Sequence, residues 1–146
     1  MRIWILTLFL ASVAKASIVT DEFVTKVGII ESNLNYKAIG DGSKARGAWQ
    51  MWSIAWSEVS RLRKLRGEVA YNYNEYSTDP KISRIYATEY LKWCESQFLR
   101  KTGRQPNHGE IYFVFNAGIG RVVQLGFNLS NAPAITQRAC VKLARL

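Results

Sequence analysis

Period-two alternation of apolar and polar residues is almost absent from this chain, whereas apolar residues recur at helical spacing in segment after segment. A chain patterned in this way closes its core with helices. Val19, Phe23, Val27 and Ile30 form the first apolar face, behind Thr20-Asp21-Glu22. That trio is a cap followed by two acids that suit the positive end of a helix. The pattern predicts a helix running to about Ser32 and stopping before Asn33-Leu34-Asn35. Residues 35–48 contain Gly40, Gly42 and Gly47 and read as a loop. Ser53 is a plausible cap for a second helix carrying Ile54, Val59 and Leu62 and ending near Gly67. The stretch from Tyr71 to Ser77 alternates tyrosines with polar residues and reads as an exposed, partly ordered connection. Asp79-Pro80, a cap and an N1 proline, opens a helix of about twenty residues with Ile82, Ile85, Tyr86, Tyr90 and Trp93 on one side. Pro106-Asn107 opens another through Ile111, Phe113 and Val114, cut off by Asn116-Ala117-Gly118-Ile119-Gly120. A last helix begins near Asn131 and Pro133 and reaches the C-terminus. The expected fold is mainly α, with little or no β.

The first sixteen residues read as an export signal. Arg2 gives a positive start, Ile3 to Leu10 an apolar run without a polar face, and Ala14-Lys15-Ala16 a small-x-small cleavage pattern. The run falls short of the roughly 20 apolar residues of a spanning helix. A hydrophobic first helix of the domain is the alternative. Cleavage after Ala16 leaves residues 17–146 as one domain, with no linker, repeat or low-complexity tract, and a monomer is expected.

The formal charge is +9, of which Arg2 and Lys15 carry two. A basic mature chain favours polyanionic partners: nucleic acid, anionic lipid or a bacterial envelope. An export signal, and the lack of any nucleic-acid motif, weigh against the first. Arg61, Arg63, Lys64 and Arg66 form a basic helix face, either simply solvated or a contact to an anionic envelope. Cys94 and Cys140 are the only cysteines, and in an exported chain they predict one disulfide. Closing that loop is worth about 4 kcal/mol in the chain-entropy view; two buried free thiols are the alternative. Two cysteines and the single His108 lack zinc spacing, so no metal is expected. No G-x-S-x-G elbow and no dinucleotide fingerprint occur, and Gly42 to Gly47 is followed by Ala48-Trp49 where a phosphate loop needs Lys and Ser/Thr. No cofactor is expected.

What remains is Glu31, in the last turn of the first helix beside its apolar stripe. A carboxyl there is either a solvated surface group or a general acid, because apolar surroundings disfavour its charged form. Cleaving a glycosidic bond needs such a proton donor.

Three segments, in order, resemble signatures of the soluble lytic transglycosylase and goose-type lysozyme group. Glu31-Ser32 resembles the Glu-Ser pair closing the first core helix. Gly47-Ala48-Trp49-Gln50 resembles the Gly-x-x-Gln element, and Val114-Phe115-Asn116-Ala117-Gly118 the Ala-Tyr-Asn-Ala-Gly segment, continued by Gly120-Arg121-Val122. The resemblance covers roughly Val19 to Leu143. It implies a lysozyme-like single domain with a central helix and a cleft, acting on peptidoglycan glycan strands in the periplasm or outside the cell. It implies Glu31 as acid and then base on the MurNAc-GlcNAc β-1,4 bond, Gln50 and Asn116 as hydrogen-bond partners of the sugar and its N-acetyl group, and Gly118, after Ala117, as a thin cleft wall. Ser32 and Trp49 join the binding set as members of the motifs.

The chain departs from the pattern in three places. Asn33 follows Glu-Ser where Gly is frequent, Phe115 replaces the usual Tyr, and Cys140-Val141 stands where Tyr-Val is common. Tyr112, one turn before Phe115, is the substitute for the missing hydroxyl. Asp41 is an Asp-Gly turn residue or, alternatively, the second carboxylate that activates water in a hydrolytic lysozyme. Without such a base the sugar's own 6-hydroxyl attacks and a 1,6-anhydromuramic end forms. A silent lysozyme-like module that binds glycan or protein is the non-enzymatic alternative.

Overall fold

The computed structural model describes residues 15–146; the expected export signal lies outside them except for Lys15 and Ala16. Seven helices and a small sheet make up the described chain. They are α1 (Asp21–Ser32), β1 (Ile39–Gly40), β2 (Ala45–Arg46), β3 (Met51–Trp52), α2 (Ser53–Leu65), α3 (Tyr73–Tyr76), α4 (Pro80–Thr102), α5 (His108–Ala117), α6 (Ile119–Gln124) and α7 (Ala134–Leu143). The fold is mainly α and lysozyme-like, and α4 is its central helix, packed by α1, α2, α5 and α6.

Caps explain where the helices begin. The Thr20 side chain accepts from the Phe23 N–H, and Asp79 accepts from Lys81 and Ile82, with Pro80 at a position whose N–H would be orphaned anyway. Asn107 and Glu110 form a reciprocal capping box at the head of α5. At the tail of α1, Asn33 is left-handed (φ 56°), and the N–H groups of Asn33 and Leu34 close back onto Ile29 and Gly28. Asn is among the few residues that adopt this conformation readily, so it can stand where Gly is frequent.

α4 lays Tyr86, Ala87, Leu91, Cys94 and Phe98 into the core, none of them exposed. Trp56 of α2 stacks on Tyr86 with ring centroids 3.8 Å apart. Ser17 and Ile18, the first residues after the expected cleavage point, are tied down by buried Glu95, which accepts from the Ser17 hydroxyl and the Ile18 N–H.

Two regions differ from the sequence reading. The residues from Tyr71 to Ser77 are not an exposed connection. α3 forms there under an Asn72 cap, and Tyr71, Tyr73 and Tyr76 pack against the core. The expected Asn116–Gly120 interruption shrinks to a single non-helical residue, Gly118 (φ 80°, ψ 145°), since α5 runs to Ala117 and α6 begins at Ile119. The little β structure is an antiparallel sheet in the order β1-β2-β3, pairing Gly40 with Ala45 and Ala45 with Trp52.

Candidate active site

A cleft of about 270 Å³ opens between the sheet and the α5–α6 junction. Glu31, Asp41, Gln50, Asn116, Ala117 and Gly118 all line it, so residues from three distant stretches of sequence meet in one place. Trp52, Ile54, Tyr90 and Phe115 also line it, and the sequence reading did not assign them to the site.

Glu31 is the chemically unusual member. Burial pushes its carboxyl up to about 7 from an ordinary 4.5. The Tyr112 hydroxyl, donating to Oε1 at 2.8 Å, works against that rise, and the negative charge of Asp41 adds to it. A group with this pKa both holds and releases a proton near neutrality.

Tyr112, expected as the substitute hydroxyl and as one of the substrate-binding residues, is 2 % exposed and is bonded to the Glu31 carboxylate. Behind it stands a residue the sequence did not flag. The buried Thr136 hydroxyl donates to Asn116 Oδ1 at 2.8 Å. On α5, then, Tyr112 is bonded to Glu31, and Asn116, one helical turn on, is bonded to Thr136 of α7. Tyr112→Phe deletes the one hydrogen bond that favours the Glu31 carboxylate. The carboxyl of that variant is expected to titrate above 7, and ¹³C NMR of labelled glutamate reads it directly. An unchanged or lower titration point would remove Tyr112 from this role.

The Gly-x-x-Gln loop is built around tight backbone contacts. Gln50 is itself left-handed (φ 46°), and its Nε2 donates to the Gly47 carbonyl at 2.9 Å. Gly40 makes room for it, since a Cβ there would lie 2.3 Å from Gln50 Oε1. Ser32 does not line the cleft: its hydroxyl donates to the Ala48 carbonyl (2.8 Å), tying the end of α1 to this loop. Trp49 is also corrected. It is 1 % exposed and donates from Nε1 to the Val24 carbonyl, a core anchor rather than a cleft wall. The exposed indole is Trp52, which donates to Asp41 Oδ2 at 3.2 Å. Asp41 is a turn residue (φ 49°) whose side chain lines the cleft.

The model of the Transglycosylase SLT domain family matches residues 10–133. The chain belongs to that family. It is therefore a peptidoglycan-acting protein of the lytic transglycosylase type. None of the curated proteins compared with it matches.

Against the pattern of this SLT domain, Phe115 leaves the site without one phenol, and Tyr90 of α4 lies beside it, with ring centroids 5.6 Å apart. Burial pushes the Tyr90 hydroxyl well above its usual range, so it stays protonated. The expected disulfide is absent. Cys94 and Cys140 are free, buried thiols. Cys94 sits fully inside the core face of α4, while the Cys140 thiol turns to the Gly109 carbonyl of α5 at 3.7 Å; burial raises both thiols. The basic face of α2 is corrected as well. Arg61 pairs with Glu58, and Arg63 and Arg66 both pair with Glu68 and Glu89, which leaves Lys64 as the one cation of the four without an ion pair among the described residues. Among the described residues no cluster of three His, Cys, Asp or Glu could hold a metal ion, and no helix is long and apolar enough to cross a membrane.

Proposed function

We propose that this SLT domain is an exported lytic transglycosylase that cuts the β-1,4 bond between MurNAc and GlcNAc, with Glu31 as the only acid and base. The observation that carries the reading is the Glu31 pKa of about 7 inside a cleft flanked by amides and an exposed indole. Protonated Glu31 gives its proton to the leaving GlcNAc O4 as the C1–O4 bond breaks. The carboxylate then takes the proton of the MurNAc 6-hydroxyl, whose oxygen bonds to C1. The strand ends in a 1,6-anhydro sugar and no water is consumed. One group serving both steps works best with a pKa near the operating pH. Thr136 occupies Asn116 Oδ1, so the Asn116 amide is left to offer N–H groups, which suits the carbonyl of an acetamide. Trp52 and Ile54 offer apolar surface to the faces of the sugar rings.

The second reading is hydrolysis with Asp41 holding water, and Asp41's position on the same cleft favours it. Against it, Asp41 is exposed on a short turn, and Trp52 is the one side chain bonded to its carboxylate. A base that positions water needs a fixed place opposite the acid. Mass spectrometry of wall digests distinguishes the two. Anhydromuramic ends are expected from the wild type, with product chemistry unchanged in Asp41→Asn. Mainly reducing ends that disappear in Asp41→Asn would assign the protein as a lysozyme.

A further inference from the structure

Trp52 lines not only the cleft but also an adjoining hollow of about 590 Å³, whose other walls include Lys44, Arg46, Ser53, Tyr73 and Asn74. No acidic residue lines it. Six of the cations elsewhere, Lys26, Arg61, Arg63, Arg66, Arg84 and Arg104, each reach a carboxylate. Lys44 and Arg46 form no ion pair among the described residues. Aromatic faces hold them instead, with Lys44 Nζ 5.6 Å from the Trp52 ring and the Arg46 guanidinium 5.5 Å from the Tyr73 ring. Arg46 carries a second sign that it is uncommitted: its Nε–H is buried and has no acceptor. A buried donor left unmatched costs about 1–3 kcal/mol, and an acceptor brought by a ligand would remove that cost.

We propose that this hollow binds a carboxylate of the short peptide carried by the muramyl sugar. The inference rests on the peptidoglycan reading of the neighbouring cleft, and on no particular product chemistry. A guanidinium fork and a lysine point charge together suit a carboxylate. The N-acetylated sugars of the strand are uncharged, and their anions sit on the peptide attached to the lactyl group of MurNAc. An anion site one indole away from a sugar cleft therefore meets that peptide. A phosphate of an anionic lipid shares the charge but is not tethered to the glycan.

Calorimetry with the full chain tests this, using three probes: a muramyl disaccharide tripeptide, the same compound with its carboxyls amidated, and the bare disaccharide with its lactyl carboxyl amidated. The carboxylate form is expected to bind about tenfold more tightly than the amidated one. The advantage should vanish in Lys44→Gln/Arg46→Gln while affinity for the bare disaccharide stays the same. Lys44→Gln alone, at an exposed position that does not threaten folding, should lose part of it. Equal affinity for the carboxylate and amidated probes would overturn the proposal, as would equal loss on all three in the double variant. Co-sedimentation with phosphatidylglycerol vesicles, abolished in the double variant while the carboxylate preference persists, would reassign the hollow to phosphate. None of these readouts involves bond cleavage, so a failure here is separate from a failure of the lytic assignment.

Discussion

Glu31→Gln is expected to lose about a thousandfold in turnover of wall polymer, the usual scale for removing a general acid, and at the same time to become the more stable protein at neutral pH. The two effects share one cause. Gln keeps the shape of Glu and still accepts from the Tyr112 hydroxyl, so the local packing survives, but it has no proton to give. The stability gain follows from linkage. In the unfolded chain Glu31 ionises near 4.5 and in the folded chain near 7. Between these values the unfolded chain binds fewer protons, so raising the pH favours unfolding. The penalty is absent below about 4.5 and complete above 7, where it reaches about 3 kcal/mol.

Gln does not titrate and escapes the penalty. The melting temperatures of variant and wild type should therefore converge at pH 4 and differ by roughly 10 °C at pH 7.5, the variant being higher. Scanning calorimetry across that range measures the gap. A gap independent of pH would mean that Glu31 does not titrate between 4.5 and 7, and the acid-base reading would lose its physical basis. Turnover within a few-fold of wild type would remove it outright.

How far the sequence disclosed the site depends on how local each signal is. Helices α1, α4 and α5 are legible because their caps lie within three residues of their starts: Thr20 to Phe23, Asp79 to Ile82, Asn107 to Glu110. The place of Glu31 at the end of an apolar helix is legible for the same reason. The sheet is not, since strands of two residues cannot display a period of two. The consequence falls on the tryptophans. Trp49, Trp52 and Trp56 are spaced like one helical stripe, but α2 begins only at Ser53, so the direction of Trp52 is set by β3 and it points out while its neighbours are buried. Tyr112, Thr136 and Asn116 come together across α5 and α7, which no local pattern reports. The ion pairs of α2 are half visible: Glu58 and Glu68 lie nearby in sequence, whereas Glu89 reaches Arg63 and Arg66 from α4. The tyrosines from Tyr71 to Tyr76 look exposed in sequence because their partners, Trp56 and Tyr86, belong to other elements.

Gly47→Ala should be the most disruptive single methyl in the Gly-x-x-Gln loop, and a matched control isolates why. Gly47 has φ +76°, and a Cβ there would meet the Ser77 carbonyl oxygen at 2.1 Å, backbone that cannot swing aside. Gly103, the left-handed cap of α4, has φ +75°, and a Cβ there would find nothing within 4 Å. Both alanines carry the same left-handed strain of about 1–2 kcal/mol, so their difference measures the contact alone. That contact matters for the cleft because the Gly47 carbonyl accepts both the backbone N–H of Gln50 (3.1 Å) and its side-chain Nε2 (2.9 Å). Moving Gly47 off Ser77 moves Gln50 with it, and a misplacement of about 1 Å at a site costs on the order of a hundredfold in rate. Gly47→Ala is therefore expected to lose at least about 3 kcal/mol of stability and about a hundredfold in turnover, against about 1 kcal/mol and near-full activity for Gly103→Ala. Urea melts and turbidity clearing of walls measure both quantities. Equal losses in the two variants would show that backbone conformation, not the close approach to Ser77, is what the glycine of this loop provides.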